Sequence, residues 1–79
     1  MVKLVYHGEL RHVVGVAEED IDADTIKDVF RHISDTYGKE ACGMAKSGLV
    51  ALNEKRVTGV SVRIPAGSVV GFYSFCSGG

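Results

Sequence analysis

The feature that most constrains the fold is a single amphipathic helical segment near the middle of the chain. Its apolar side chains recur at the spacing of one helix face: Ile26, Val29, Phe30, Ile33 and Tyr37. Thr25 precedes this stripe and Asp28 follows three residues later, which is the spacing of a capping box. Gly38 comes directly after the stripe and suits the left-handed conformation in which many helices end. The pattern predicts a helix over residues 25–37 that buries one face.

Strand patterns lie on both sides of this helix. Residues 2–7 alternate between two faces and are predicted to form a first strand. Residues 16–22 are predicted to form a second strand, antiparallel to the first, although they are rich in acidic side chains. The short apolar run at 49–52 is consistent with a buried strand. Residues 69–75 are apolar on both faces, which is typical of a central strand.

The connecting segments carry turn signals. Residues 39–48 show no clean period and are predicted as a loop with one helical turn. Asn53–Lys55 is predicted as a turn, after which a weak strand begins at Arg56 and continues with alternation up to Ile64. Pro65–Gly67 is predicted as a second turn, because proline fixes φ and glycine tolerates a positive φ.

The order of these elements favours an α+β fold with a mixed sheet. If the first and last strands pair at the centre, the one main helix covers one face, which gives a ubiquitin-like β-grasp domain. A ferredoxin-like half is the alternative, but one convincing helix is too few for it. We expect residues 1–79 to form a single domain with a flexible Gly-Gly tail at about 76–79.

Composition excludes several classes of function. The net charge of −1 and the lack of a basic stripe argue against nucleic-acid binding. No apolar run is long enough for a membrane helix, and the amino-terminal residues do not look like a signal peptide. Cys42 and Cys76 do not form a Cys-x-x-Cys pair, so we expect a cytoplasmic protein without a disulfide framework. The three histidines share no metal-ligand spacing, and we expect no metal site.

The motif that carries chemistry is the pair Gly78-Gly79, which closely follows the last predicted strand. Glycine has no Cβ, so an extended diglycine can pass through a channel that is too narrow for side chains. The carboxylate of Gly79 could then be activated by ATP as an acyl-adenylate. The ATP site would belong to a partner, because the chain has no glycine-rich phosphate loop. The alternative is a frayed end without a function.

The order of several short segments resembles the MoaD/ThiS family of sulfur carriers, and more closely its molybdopterin synthase small subunits. The segments that carry the resemblance are Lys3–Tyr6, Leu10–Gly15, Thr25–Val29, Val50–Asn53, Ile64–Val70 and Ser77–Gly79. The chain departs from the family pattern at Ala66 and Ser68, where acidic residues are usual, and at Ser74-Phe75, where two prolines are frequent. Cys76 stands where an aliphatic residue is common.

The resemblance implies a sulfur carrier without a catalytic site of its own and without a bound cofactor. An E1-like adenylating enzyme would use ATP to activate Gly79, whose carboxylate would become a thiocarboxylate. The sulfur would pass to a molybdopterin precursor through the molybdopterin synthase large subunit, or to another acceptor such as the thiamine thiazole enzyme. The partner would hold the residues that precede Gly79: Phe75, Cys76, Ser77 and Gly78. Two alternatives remain, a ubiquitin-like modifier conjugated through Gly79 and a domain used only for interaction.

Three further features have two interpretations each. Phe72 and Phe75 are candidates for an apolar contact surface, and Phe72 is otherwise an ordinary core residue. Cys76 could form a mixed disulfide or an acyl intermediate, or it could serve as a small apolar side chain. The acidic run at 18–22 could bind a cation or a basic partner, or it could be a solvated edge strand.

Overall fold

A computed structural model describes residues 1–73, and residues 74–79 lie outside the described part. The described chain forms five strands and three helices. In chain order they are β1 (Val2–Tyr6), α1 (Gly8–Val14), β2 (Glu18–Ile21), α2 (Ile26–Tyr37), α3 (Lys39–Ser47), β3 (Leu49–Leu52), β4 (Lys55–Val57) and β5 (Val69–Tyr73). None of the helices within residues 1–73 is long and apolar enough to cross a membrane.

The strands form one mixed sheet in the order β2-β1-β5-β3-β4. β1 runs parallel to β5, and the other neighbours are antiparallel. The predicted pairing of the first and last strands at the centre is therefore confirmed, as is the antiparallel pairing of the first two strands. β5 lies in the middle of this order, between β1 and β3, and its middle residues, from Val70 to Phe72, are buried.

The core lies between one face of the sheet and the helices. The sheet contributes alternate side chains of β1 and β5, among them Leu4, Tyr6, Val70 and Phe72, none more than 1% exposed. The predicted stripe of α2 meets them with its buried residues Ile26, Val29, Phe30 and Ile33. Apart from the small, buried Ala51, the opposite face carries exposed or half-buried side chains, as in antiparallel sheets covered on one side.

The prediction for α2 is confirmed within one residue. Thr25 is the N-cap, and its side chain and that of Asp28 form the reciprocal hydrogen bonds of a capping box. Gly38 has a positive φ of 101°, but its ψ of 170° is extended rather than left-handed helical. The left-handed cap was therefore wrong in detail. Gly38 also precedes α3, and the extended ψ redirects the chain into that helix.

The prediction of a loop with one helical turn at 39–48 is wrong, because α3 spans nine residues. Its buried face is made of small side chains, Ala41, Cys42 and Ala45. Such residues let α3 lie close against α2, but they give a weak hydrophobic period in the sequence.

α1 was not predicted either, because the only local signals in this segment were two glycines, Gly8 and Gly15, which are typical of turns. It buries Leu10 and Val14, one turn apart, and ends at Gly15 in the left-handed conformation. The Gly15 N–H donates to the Arg11 carbonyl oxygen at 2.9 Å. A helix of seven residues has too few apolar positions to show a period.

The weak return strand is shorter than predicted. Asn53 and Glu54 form its turn with positive φ values of 50° and 71°, and β4 then ends at Val57. Residues 58–64 leave the sheet because their main chain pairs with the start of α2. Ile26 N–H, for example, donates to the Val62 carbonyl oxygen at 3.0 Å.

Candidate functional site

The candidate site is the end of the central strand β5, from which the chain continues into residues 74–79. Tyr73 ends β5 and pairs with Leu49 at the start of β3, while Phe72 pairs with Tyr6 at the end of β1. The predicted site residues lie outside the described residues: Phe75, Cys76, Ser77, Gly78 and Gly79. Their roles stay predictions. The structure describes the end of the sheet from which these five residues continue.

A stacked aromatic pair marks this end of the sheet. The His7 and Tyr73 rings are nearly parallel, at 8°, with centroids 4.4 Å apart. The His7 main-chain N–H donates to the Phe72 carbonyl oxygen at 3.1 Å, which fixes the chain after β1 against β5. The Tyr73 ring also lies across Gly71, where a Cβ would come within 3.1 Å of the ring. The alternation of β1 places His7 on the outward face, but the sequence does not give the register of β1 against β5, so the contact of His7 with Tyr73 could not be predicted.

The stacked pair belongs to an apolar surface that we call the open face. It consists of outward residues of the three middle strands and their ends: Val5, His7, Ala51, Val69, Gly71 and Tyr73. These residues line a shallow depression of about 330 Å³, together with Asn53 and Glu54. Val69 and Tyr73 are 40% and 43% exposed. Such a surface is suited to contact with an apolar patch of another protein.

Phe72 does not belong to this surface, so its interpretation as a contact residue is wrong. Its side chain is 1% exposed and stacks on the Tyr6 ring, with centroids 5.6 Å apart. The Phe30 ring lies on another side at 6.2 Å. Because β5 alternates, Phe72 points into the core, and the neighbouring Tyr73 points outward.

Residues 18–21 of the acidic run form the edge strand β2, which is shorter than the strand predicted over 16–22, and Glu19 is not simply solvated. One oxygen of its carboxylate, Oε2, accepts hydrogen bonds from the hydroxyls of Tyr6 at 2.7 Å and Tyr37 at 2.8 Å. The Nε2 atom of His32 lies 3.1 Å from the same oxygen. Sequence reasoning missed this network, because its members come from three separate elements.

Burial and the hydrogen bonds of this network shift the pKa values of Glu19 and of both tyrosines. Burial raises the pKa of Glu19, but the hydrogen bonds from Tyr6, Tyr37 and His32 outweigh burial and bring the pKa below its ordinary value. Burial and the bond to Glu19 raise the pKa of Tyr37 to about 12 and also raise that of Tyr6. Glu19 is therefore a carboxylate and both tyrosines are neutral donors at neutral pH. A carboxylate oxygen held by these donors is a weak base, and its hydrogen bonds join β2 to β1 and α2.

Metal and thiol chemistry find no site in the described part of the chain. Within residues 1–73, no group of three or more His, Cys, Asp or Glu side chains could hold a metal ion. Cys42 is buried, and its Sγ atom lies 3.5 Å from the Phe30 carbonyl oxygen. Its thiol is an apolar core group, and Cys76 lies outside the described residues.

No protein-family model matches the chain, and no curated protein matches it significantly. Solved structures do. A chain of the BexX/CysO complex from Amycolatopsis orientalis matches over 100% of both chains, with a TM-score of 0.83 and 13% identity. The complex of subunits 1 and 2 of molybdopterin-converting factor from Helicobacter pylori contains a match over 99% of this chain and 97% of that one, with a TM-score of 0.75 and 20% identity.

SAMP1 of Haloferax volcanii, a small archaeal modifier protein, is also similar. It covers 99% of this chain and 98% of its own, with a TM-score of 0.74 and 16% identity. The chain has the ubiquitin-like β-grasp fold. The predicted α+β class is thereby confirmed, and the family that the sequence resembles has its counterpart among these β-grasp structures. Identities this low establish the fold and leave the chemistry to the residues of this chain.

Proposed function

We propose that the chain is a sulfur carrier protein whose reacting group is the terminal carboxylate of Gly79. An E1-like enzyme would join this carboxylate to the AMP part of ATP, releasing pyrophosphate. A sulfur donor would then displace AMP and leave a thiocarboxylate. Sulfur is a better nucleophile than the carboxylate oxygen it replaces, so the loaded chain can donate it during molybdopterin formation or in a related pathway.

The observation that supports this proposal best is the position of β5. This strand is hydrogen-bonded on both sides and is anchored by Phe72, so Tyr73 is a firm starting point for the residues that follow. The six residues from 74 to Gly79 follow it, and their greatest possible span is about 20 Å. A partner that reacts with Gly79 must therefore approach the end of the sheet, where the open face lies.

The division of labour follows from the residues present. The sequence has no glycine-rich phosphate loop, so the activating enzyme would supply the ATP site. The second partner, a molybdopterin synthase large subunit or another acceptor enzyme, would supply the acid, base and substrate pocket. The matched complexes from Helicobacter pylori and Amycolatopsis orientalis are likewise formed with another protein. His7 and Tyr73 would contact the partner while Phe75–Gly79 enters its active site.

The test is the intact mass of the protein isolated from its native cells. We expect a species ending at Gly79 in which one oxygen is replaced by sulfur. Deletion of Gly78-Gly79 should abolish this species and stop formation of the sulfur-containing product. Gly43→Ala is the matched control, because Gly43 lies in α3 with nothing within 4 Å of the added Cβ. If the deletion leaves both sulfur transfer and conjugation intact, a role for the terminal glycines is excluded.

A second candidate is a protein modifier joined to lysines through Gly79. It is favoured by the similarity to SAMP1, which is described as a small archaeal modifier protein. Protein isolated from the same cells distinguishes the modifier from the carrier, because conjugation yields high-mass adducts that disappear when Gly79 is deleted. Adducts without a thiocarboxylate species favour the modifier, and a thiocarboxylate without adducts favours the carrier.

A further inference from the structure

A second surface, which we call the basic groove, lies between the helices and the β3–β4 edge of the sheet. Its volume is about 380 Å³, and its floor is apolar. Phe30, Val50 and Val57 contribute to the floor, and Val60, which is 45% exposed, closes one side. Val50 and Val57 point to the covered side of the sheet, whereas Arg56 pairs with Ala51 of the open face and lines the groove from the edge strand β4.

The two charged residues that line the groove are both cations, Lys46 and Arg56. The Lys46 Nζ atom lies 5.7 Å from the centre of the Phe30 ring, over the apolar floor. Both side chains are exposed, and neither forms an ion pair with a carboxylate of residues 1–73. Groups that already had partners would offer little to a ligand, whereas these cations can pair with an incoming anion.

The neighbouring surface has the same sign of charge. A second depression shares Phe30 and Lys46 with the groove and adds Lys27 and Arg31, against one carboxylate, Asp35. Four of the ten acidic side chains lie at the opposite edge of the sheet or in the segment that follows it: Glu18, Asp20, Asp22 and Asp24. A concentrated field of one sign attracts and orients a partner of the other sign.

The groove also lies beside the end of β5. Leu49 lines it and pairs directly with Tyr73. β4, which carries Arg56, is two strands away from β5, or about 10 Å. This distance is within the span of the residues from 74 to Gly79. A protein that holds Gly79 can therefore come within reach of the groove.

We propose that the basic groove binds an acidic segment of the partner that receives the tail, with one apolar side chain as its anchor. The anchor fills the space over Val50 and Val57, beside Phe30, and flanking carboxylates pair with Lys46 and Arg56. The identity of the partner rests on the function proposed above, but the chemistry of the groove does not. The sign of the charges selects an acidic segment over a basic one.

The proposal is tested with the full chain and a labelled peptide that has a central leucine flanked by glutamates. We expect amide chemical-shift changes centred on Phe30, Lys46 and Arg56, and fluorescence anisotropy to show binding that weakens as salt is added. The double variant Lys46→Glu, Arg56→Glu should weaken binding about tenfold or more. Lys39→Glu, an exposed change of the same kind at the far end of α3, should leave binding within about twofold.

Two control peptides make the result decisive. Replacing the glutamates by glutamines should remove the effect of the double variant, and replacing the leucine by serine should weaken binding to the unchanged chain. Equal binding of the glutamine peptide, or of the double variant, overturns the proposal. Deletion of Gly78-Gly79 should leave peptide binding unchanged. A chain that binds the peptide but never carries a thiocarboxylate contradicts only the proposed function, and the reverse result contradicts only the groove.

Discussion

The two faces of the sheet differ most sharply along one strand. In β5, Val70 and Phe72 are at most 1% exposed, whereas Val69 and Tyr73, on the other face, are about 40% exposed. The covered face packs against α2, and the open face ends at the stacked His7–Tyr73 pair. One strand therefore contributes stability with one set of side chains and leaves the alternate set free for contact with another protein.

The largest difference in the free energy of unfolding should appear when the neighbouring aromatic side chains of β5, Phe72 and Tyr73, are truncated. Phe72→Ala leaves a cavity between Tyr6 and Phe30, and we expect it to lower the free energy of unfolding by about 3–5 kcal/mol. Tyr73→Ala is the matched control, because its ring is exposed, and it should cost about 1 kcal/mol or less. Denaturant titration followed by circular dichroism measures both variants.

A small domain is marginally stable, so Phe72→Ala could unfold outright. Phe72→Leu then provides the comparison, since a smaller loss of volume should cost about 1–2 kcal/mol and leave a measurable transition. If Tyr73→Ala proves as destabilising as Phe72→Leu, the two faces do not differ in the way that their exposure indicates.

The next largest effect on stability should come from the polar network of Glu19 on the covered face of the sheet. The pKa of Glu19 lies below its ordinary value of 4.5, so the folded state binds fewer protons there than the unfolded state. The contribution of Glu19 to stability is therefore complete above the ordinary pKa and is lost as the pH falls through the folded value. We expect the midpoint of urea unfolding to decrease from neutral pH into this acidic range.

Glu19→Gln separates this contribution from other acid effects. The amide keeps the shape but not the charge, so the variant should lose about 1–3 kcal/mol at neutral pH and show a flatter pH profile. Glu18→Gln is the control on the same strand, since Glu18 is exposed and forms a surface ion pair with Lys3. It should change stability by less than about 0.5 kcal/mol and keep the slope. Identical profiles for the two variants would contradict the role of Glu19.

Local signals were sufficient to predict the longest helix and the two strands at the centre of the sheet. Thr25 and Asp28 locate the start of α2, and the alternation and apolar content of the first and last strands place them at the centre of the sheet. α3 was missed because its buried face consists of alanines and a cysteine, which pack well and contribute little to a hydrophobic period. A small side chain indicates a buried helix face only once the position of the neighbouring helix is known.

The candidate site was less predictable, because it depends on register. The contacts of Glu19 with Tyr6 and Tyr37 join residues 13 and 18 positions apart, and the His7–Tyr73 stack joins the two ends of the described chain. Nothing in the local sequence of either partner indicates the other. The diglycine was found from sequence because its chemistry needs no tertiary partner within the chain, and its role stays a prediction.

The smallest effect should come from Gly71, where the open face is most crowded. A Cβ at this position would lie 3.1–3.4 Å from atoms of the Tyr73 ring, so the exposed ring must move aside. We expect Gly71→Ala to change stability by less than about 1 kcal/mol, since the lower backbone entropy of alanine offsets the crowding. The ring should move away from His7, which changes the imidazole proton shifts in NMR spectra. Gly43→Ala adds the same methyl group in open space and should leave those shifts unchanged. If both variants leave His7 unaffected, the Tyr73 ring does not rest on Gly71, and the open face has no fixed shape for a partner to recognise.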